Sequence, residues 1–264
     1  MTTLTATLPS PQRIAPVADH QLIASERARA LLAGNGLTSL EAVFDCGDPL
    51  PGARETFGNR HPNRGVVHTT LHGDGTSLRV FIKKQWRHER WIPRWNELWD
   101  GTAFLAMPAR EWRGLNLLRA IGLDTAEPLA LFTGGRFSAR AAIVTCAVPA
   151  ERDLLEMIEA GHLDRLPAAD RQGLAQEIAV VIQRIHGAGY GWRSLKPKHL
   201  FPLRQSDGRW RIWLIDCETV QTRPTPKQAL RERRRFLEQL AELGVSADFR
   251  ETISRNLSQE TSKS

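Results

Sequence analysis

Cysteine is scarce in this chain: three among 264 residues, at positions 46, 146 and 217. The number is odd and no two lie close in sequence. That argues against a disulfide framework or a zinc ribbon and favours a reducing compartment. Long apolar runs are missing too; nothing approaches the roughly 18 residues needed to cross a bilayer. The N-terminus, MTTLTATLPSPQRIAPVADHQ, lacks the basic stretch and following apolar stretch of a secretory signal. There is no internal repeat and no low-complexity tract. The expected location is the cytosol.

What is present fits a folded protein. Apolar residues make up 41%, which argues against wholesale disorder. The length allows one large domain or two lobes around a real core. Net charge is +7, with Arg well ahead of Lys. Excess Arg suits bidentate binding of phosphate and carboxylate, although a GC-rich genome yields the same bias. A nucleic acid, an anionic membrane or a phosphorylated substrate would each match the charge.

The pattern along the chain is β first, α later. Residues 1–19 read as a loose leader, and 20–32 have helical apolar spacing ending near Gly34 and Gly36. EAVFDC (41–46), GVVHTTLHG (65–73) and SLRVFIKK (77–84) read as strands, with HGDG at 72–75 as a hairpin turn. Residues 84–107 look like an insertion. PAREWRGLNLLRAIGL (108–123) is helical, with Trp112, Leu115, Leu118 and Ile121 on one face and Pro108 near its start. A second strand pair follows, PLALFT and SARAAIVTCAV, and Val148-Pro149-Ala150 reads as a linker. Helices are expected at 151–160 and 168–188, and a helical, Arg-rich tail at 224–257.

The stretch from Ile185 to Val220 carries the chemistry. IHGAGYGWRSLKPKHLF is followed by a polar turn and then WRIWLIDCETV. A helix ending in Ile-His, a Gly-containing turn, an Arg-x-Leu-Lys-Pro loop and a strand delivering an Asp form the active-site layout of kinase-like phosphotransferases. Lys83, ending the strand Val80-Phe81-Ile82, matches the lysine that grips nucleotide phosphates; Lys84 competes for the role. Glu111, in the first turn of the next helix, is placed to pair with Lys83 or simply to favour the helix dipole. Asp216 is the candidate Mg²⁺ ligand, with a turn-capping Asp as the alternative. His199 falls where many kinases place an Asn metal ligand, and a structural role is the alternative. Lys196 is placed to steady the transferred phosphate, and His186 to pin the loop by hydrogen bonds. Glu218 reads as a second metal contact or a salt-bridge partner.

One position departs from the layout. Ser194 stands where the catalytic Asp is expected, and a hydroxyl cannot act as a carboxylate base. No Gly-x-Gly-x-x-Gly precedes Lys83. GNRHPNRG, from Gly58 to Gly65, is the best candidate for a phosphate-covering loop, with Arg60 and Arg64 as anion contacts and a plain surface turn as the simpler alternative.

FIKKQ (81–85), AREWRGLNLLRAIGL (109–123), the PLALF that follows, LKPKHLF (195–201) and LIDCE (214–218) occur in an order that resembles the lipopolysaccharide kinase family of the Kdo/WaaP and InaA type. The resemblance runs from about Val80 to Val220. It implies an α+β, two-lobed protein-kinase-like fold: a small antiparallel β lobe with one main helix and a reduced α-helical lobe. Residues 1–36 would form a leader and helix, 37–148 the nucleotide-binding lobe and 149–264 the lobe with the catalytic loop. It further implies ATP with Mg²⁺ and phosphorylation of an inner-core sugar at the inner face of the cytoplasmic membrane. Lys83, Glu111 and Gly65 would bind the nucleotide, Asp216 and His199 the metal, with Asp216, Lys196 and Ser194 at the catalytic centre. A pseudokinase that binds nucleotide or glycolipid without transfer is the alternative raised by Ser194. No nucleic-acid partner is expected.

The insertion holds Trp86, Trp91, Trp95 and Trp99 with Arg87, Arg90 and Arg94 between them. Such a mixture suits a bilayer interface or an anionic glycolipid, while packing onto the small lobe is the plainer expectation. Arg231, Arg233, Arg234 and Arg235 of the tail suit phospholipid head groups or a solvated helix face.

Overall fold

The computed structural model describes residues 21–46, 64–73, 75–86, 105–134, 140–222 and 224–259. The leader, residues 58–63 of the expected phosphate-covering loop including Arg60, and Trp91, Trp95 and Trp99 with Arg87, Arg90 and Arg94 lie outside the described residues, whereas Arg64 and Gly65 of that loop begin strand β2.

A five-stranded antiparallel sheet forms one side of the molecule. Its strands are β1 (Gln21–Ala24), β2 (Arg64–Gly73), β3 (Thr76–Gln85), β4 (Pro128–Thr133) and β5 (Ala141–Cys146), in the order β1-β4-β5-β3-β2. The hairpin at 72–75 forms as expected: Gly73 pairs with Thr76, and Gly75 takes φ 71°, which a glycine accepts without strain. β3 runs through Lys84 and Gln85, so the first two residues of the expected insertion are strand.

Two segments near the N-terminus differ from expectation. Residues 20–32 were expected as helix, yet Gln21–Ala24 forms β1 at the sheet edge and only then does helix α1 (Glu26–Gly34) begin. The switch point is Ser25, whose hydroxyl accepts from Ala28 N at 3.2 Å and caps the helix. EAVFDC was expected as strand and is instead helix α2 (Leu40–Asp45). Ser39 caps it by accepting from Ala42 N at 3.1 Å, and Leu40 and Val43, three apart, are its buried pair. A short apolar run does not distinguish the two structures; the cap decides.

α1 and α2 cover one face of the sheet, where Val80, Ile82, Ala142, Val144 and Phe132 join Leu32, Leu40 and Val43 in one apolar cluster. Against the other face lies helix α3 (Met107–Ala120). Its buried stripe is Glu111, Gly114, Leu115 and Leu118, at the i, i+3, i+4, i+7 spacing of one helix face. Ala106, at its N-cap, has no side chain to cap with. Gln85, at the end of β3, supplies the missing acceptor: its Oε1 takes a 2.6 Å hydrogen bond from Met107 N. The strand that ends in Lys83-Lys84-Gln85 therefore also fixes where α3 starts.

The second part of the molecule is mainly helical. It contains α4 (Leu154–Glu159), α5 (His162–Arg165), α6 (Ala168–Gly187), α7 (Pro226–Glu242) and α8 (Ala247–Gln259). The Arg-rich tail is thus two helices, divided at Gly244 with φ 75°. Two small ribbons carry the loops: β6 (Tyr190–Trp192) pairs with β9 (Val220–Thr222), and β7 (Leu200–Arg204) pairs with β8 (Trp210–Leu214). β8 is tied back to the segment after α3: Leu214 N donates to Asp124 O at 3.0 Å, and Ala126 N donates to Leu214 O at 2.9 Å. Arg211 adds a forked bond to Asp124, with Nε–Oδ2 2.7 Å and Nη2–Oδ1 2.6 Å. One apolar cluster, from Leu115 and Leu118 of α3 to Ile178 and Ile182 of α6, continues from one part into the other.

Candidate active site

Strand alternation sends Lys83 and Lys84 to opposite faces of the sheet. Side chains two apart share a face, so Val80, Ile82 and Lys84 point toward α1 and α2, and Phe81, Lys83 and Gln85 toward α3. Lys84 is buried and donates to Phe44 O at 3.2 Å and Cys46 O at 2.6 Å. Burial lowers its pKa. It anchors α2 and lies on the opposite face of the sheet from Lys83.

Lys83 Nζ stands 2.7 Å from Glu111 Oε1 and 3.1 Å from Asp216 Oδ1. Three elements meet at this ammonium: β3, α3 and the turn after β8. Burial works against the charge on Lys83, but Glu111 and Asp216 outweigh it and hold its pKa above the usual lysine value. Asp216 shows the mirror effect. Burial pushes its carboxyl up, yet Lys83 and the hydrogen bond from His199 outweigh this and hold it well below the usual carboxylate range.

Asp216 is also the one described non-glycine residue with positive φ, at 59°. Such a conformation costs on the order of 1 kcal/mol or more and persists only where the surroundings enforce it. The enforcement is visible. Ile215 N donates to His199 O at 3.2 Å, and Cys217 is fully buried against Gly114 of α3. The helix passes so close that a Cβ on Gly114 would sit 2.9 Å from the Cys217 carbonyl carbon.

His199 lies in a 3₁₀ turn (Pro197–His199), with its ring stacked on Trp192 at 5.6 Å between centroids and 10° between planes. Its Nε2 is 3.3 Å from Asp216 Oδ2. Burial lowers its pKa, and Asp216 offsets this only in part. A neutral imidazole donating from Nε2 leaves Nδ1 as a bare acceptor, and Nδ1 has no partner among the described residues. Glu218, one turn on, lies 3.9 Å from Arg64 Nη1. Burial and the neighbouring Asp216 charge push its carboxyl up to about 7, partly offset by Arg64.

The other expected site residues sit apart from this cluster. Lys196 is exposed on the loop before the 3₁₀ turn. Gly65 pairs with Lys84 in β2, on the α2 side, where a Cβ would meet the Trp86 ring at 2.8 Å. Trp86 in turn packs edge-on against Phe44 at 5.4 Å. Ser194 is held by Thr219: its backbone N donates to Thr219 Oγ1 at 3.2 Å, and the two hydroxyls form a very short contact. Sequence reasoning did not find Thr219, Trp192 or Gln85. The first two lie in the motif stretches and were readable only as neighbours of other residues.

His186 pins the loop, as expected, through a relay. Arg233 Nε donates to His186 Nδ1 at 3.0 Å, which leaves the ring proton on Nε2, 3.2 Å from Glu232 Oε2. The same carboxylate oxygen accepts from Trp192 N at 2.9 Å. Arg233 therefore belongs to this network and is not part of a free basic face.

Lys83 thus stands as a cation between two carboxylates, Glu111 and Asp216, the latter held in a strained conformation. The model of the lipopolysaccharide kinase (Kdo/WaaP) family matches residues 71–256. The chain belongs to that family. The match takes in Lys83, Glu111, Ser194, Lys196, His199, Asp216 and Glu218 and confirms the resemblance read from the motifs. A solved structure titled "WaaP in complex with acyl carrier protein" superposes with TM-score 0.63 at 20% identity, covering 90% of this chain and 88% of that one. At that identity the likeness establishes the protein-kinase-like fold. A search of curated proteins finds no match to the sequence. Among the described residues no helix is long and apolar enough to cross a membrane.

Proposed function

We propose that this family member is an ATP-dependent phosphotransferase acting on a hydroxyl of a lipopolysaccharide inner-core sugar, Kdo or heptose. The observation that carries the reading is the Lys83 ammonium held between Glu111 and Asp216. Lys83 grips the nucleotide phosphates, and Glu111 keeps it in place. Asp216 holds Mg²⁺, with His199 as its neighbour and Glu218 as a further carboxylate contact. Among the described residues no three His, Cys, Asp or Glu side chains converge as a metal cage. That matches Mg²⁺, which takes one or two carboxylates and completes its shell with phosphate oxygens and water. When bound, Mg²⁺ neutralises charge developing on the phosphates. Exposed Lys196 steadies the transferred phosphate near the acceptor. Exposed Arg231, Arg234 and Arg235 on α7 suit peripheral contact with an anionic cytoplasmic membrane surface.

The second reading is a pseudokinase of the same fold, and Ser194 favours it. Its hydroxyl is engaged with Thr219, and no carboxylate stands at that position. A loose, metaphosphate-like transition state asks little of a base, so we rank transfer first. The test is ³²P transfer from ATP to purified lipopolysaccharide core, comparing wild type with Asp216→Ala. Transfer that falls roughly 10²–10³-fold or more in the variant is expected. Metal-dependent nucleotide binding without transfer would establish the pseudokinase.

A further inference from the structure

Trp192 is the largest fully buried side chain among the described residues. An aromatic in a core needs no further explanation, but this one turns its face to the site. Its backbone is held at three points. Trp192 N donates to Glu232 Oε2 at 2.9 Å, its carbonyl accepts from Leu195 N at 3.0 Å, and it pairs with Val220 across β6 and β9. The indole so fixed lies flat against the His199 ring, 10° between planes.

His199 depends on that contact. Its backbone is set by hydrogen bonds on both sides: His199 N donates to Lys196 O at 3.0 Å, and its carbonyl accepts from Ile215 N at 3.2 Å. The ring is held less firmly. Nε2 stands 3.3 Å from Asp216 Oδ2, while Nδ1 meets no partner among the described residues. One polar contact, slightly longer than a usual N–H···O bond, does not set a ring angle; the flat stack does. Asp216 in turn is pinned from two sides, Oδ1 by Lys83 and Oδ2 by His199. Once Lys83 turns to the nucleotide phosphates, the His199 side is the pin that remains.

We infer that Trp192 is a positioning residue for phosphoryl transfer: its indole face fixes the His199 ring and, through it, the carboxylate of Asp216. The inference rests on the proposed role of Asp216 in holding Mg²⁺. Partners one shell out from a metal-holding group typically carry tenfold to a hundredfold in metal affinity. Trp192 acts one residue farther out, so the lower end applies.

The test is Mn²⁺ titration in the presence of ADP, read by electron paramagnetic resonance, with thermal melts of each protein alongside. Wild type, Trp192→Leu, Trp192→Phe, His199→Ala and the double variant Trp192→Leu/His199→Ala are compared. Trp192→Leu should weaken Mn²⁺ about tenfold, and Trp192→Phe, which keeps a flat face, should retain most of the affinity. In the His199→Ala background, Trp192→Leu should have no further effect, because its route to Asp216 is gone. If Trp192→Leu does not fold, Trp192→Met fills the space without a ring and takes its place. A lower melting temperature with unchanged Mn²⁺ affinity would overturn the inference by showing a purely structural role. Equal losses with and without His199 would overturn it as well. If wild type binds no Mn²⁺, the metal role of Asp216 itself fails and this placement falls with it.

Discussion

Glu218 is the residue whose charge fits its surroundings least well. Half-buried beside Asp216 and only partly compensated by Arg64, its carboxyl is raised to about 7. The folded state therefore binds its proton more tightly than the unfolded chain does. A raised carboxyl costs stability once ionised, so the penalty grows as pH rises from about 4.5 through 7. In metal-free protein, Glu218→Gln should raise the melting temperature at pH 8 and have little effect at pH 5. The gain has a ceiling of about 3 kcal/mol, reduced by loss of the Arg64 contact. Thermal melts of both proteins at the two pH values check this. A divalent ion at Asp216 should shrink the difference, because its charge favours the ionised form.

Among elements, α3 has the narrowest tolerance. Gly114 lets it lie directly on the turn that presents Asp216, and Glu111 sits one turn earlier on the same stripe. Gly114→Ala would gain helix propensity of up to about 1 kcal/mol. Against that, the new methyl would press on the Cys217 backbone, and overpacking of this kind costs about 1–3 kcal/mol. Packing wins, and any shift of the helix carries Glu111, whose Oε1 is 2.7 Å from Lys83 Nζ. The variant should unfold at lower denaturant and lose phosphoryl transfer further than its lost stability explains, as denaturation and single-turnover assays would show. Much of this element was legible in advance. The expected face of Trp112, Leu115, Leu118 and Ile121 is only half right, since the buried stripe runs through Glu111, Gly114, Leu115 and Leu118. Glu111 was legible as a carboxylate near the start of the helix that follows the strand Lys. Gly114 and Gln85 were not, because their roles depend on backbone and strand ends brought close by tertiary packing. The error at EAVFDC has a local cause: six residues are too few for period 2 and period 3.6 to separate, and the Ser39 cap carried the answer.

At the scale of the molecule, the order of β part, linker and α part was readable, and so were the motifs at Lys83 and Asp216. The way α7 supports the loop was not, since nothing in a run of arginines tells Arg233, half-buried in a relay, from Arg231 or Arg234 in solvent. That relay predicts a long-range effect. Glu232→Ala removes the acceptor shared by His186 and Trp192 N, leaving buried groups unpaired at a cost of about 2–4 kcal/mol. Hydrogen exchange should quicken at Trp192 and along β6 before it does in the five-stranded sheet. Glu232→Gln, which keeps one carbonyl acceptor, should lose less.

The route out of the Asp216 turn is short: Cys217–Thr219, the three residues of β9, then α7 from Pro226. β9 is zipped to β6, and Thr219 is bonded to Ser194. Many signalling kinases place at this point a long segment whose modification turns them on and off. Here the described chain between Asp216 and β9 is only the three residues of the 3₁₀ turn, with no long segment to fold away. For the proposed transferase, that leaves the rate to follow the supply of acceptor and nucleotide rather than the refolding of a segment at this point.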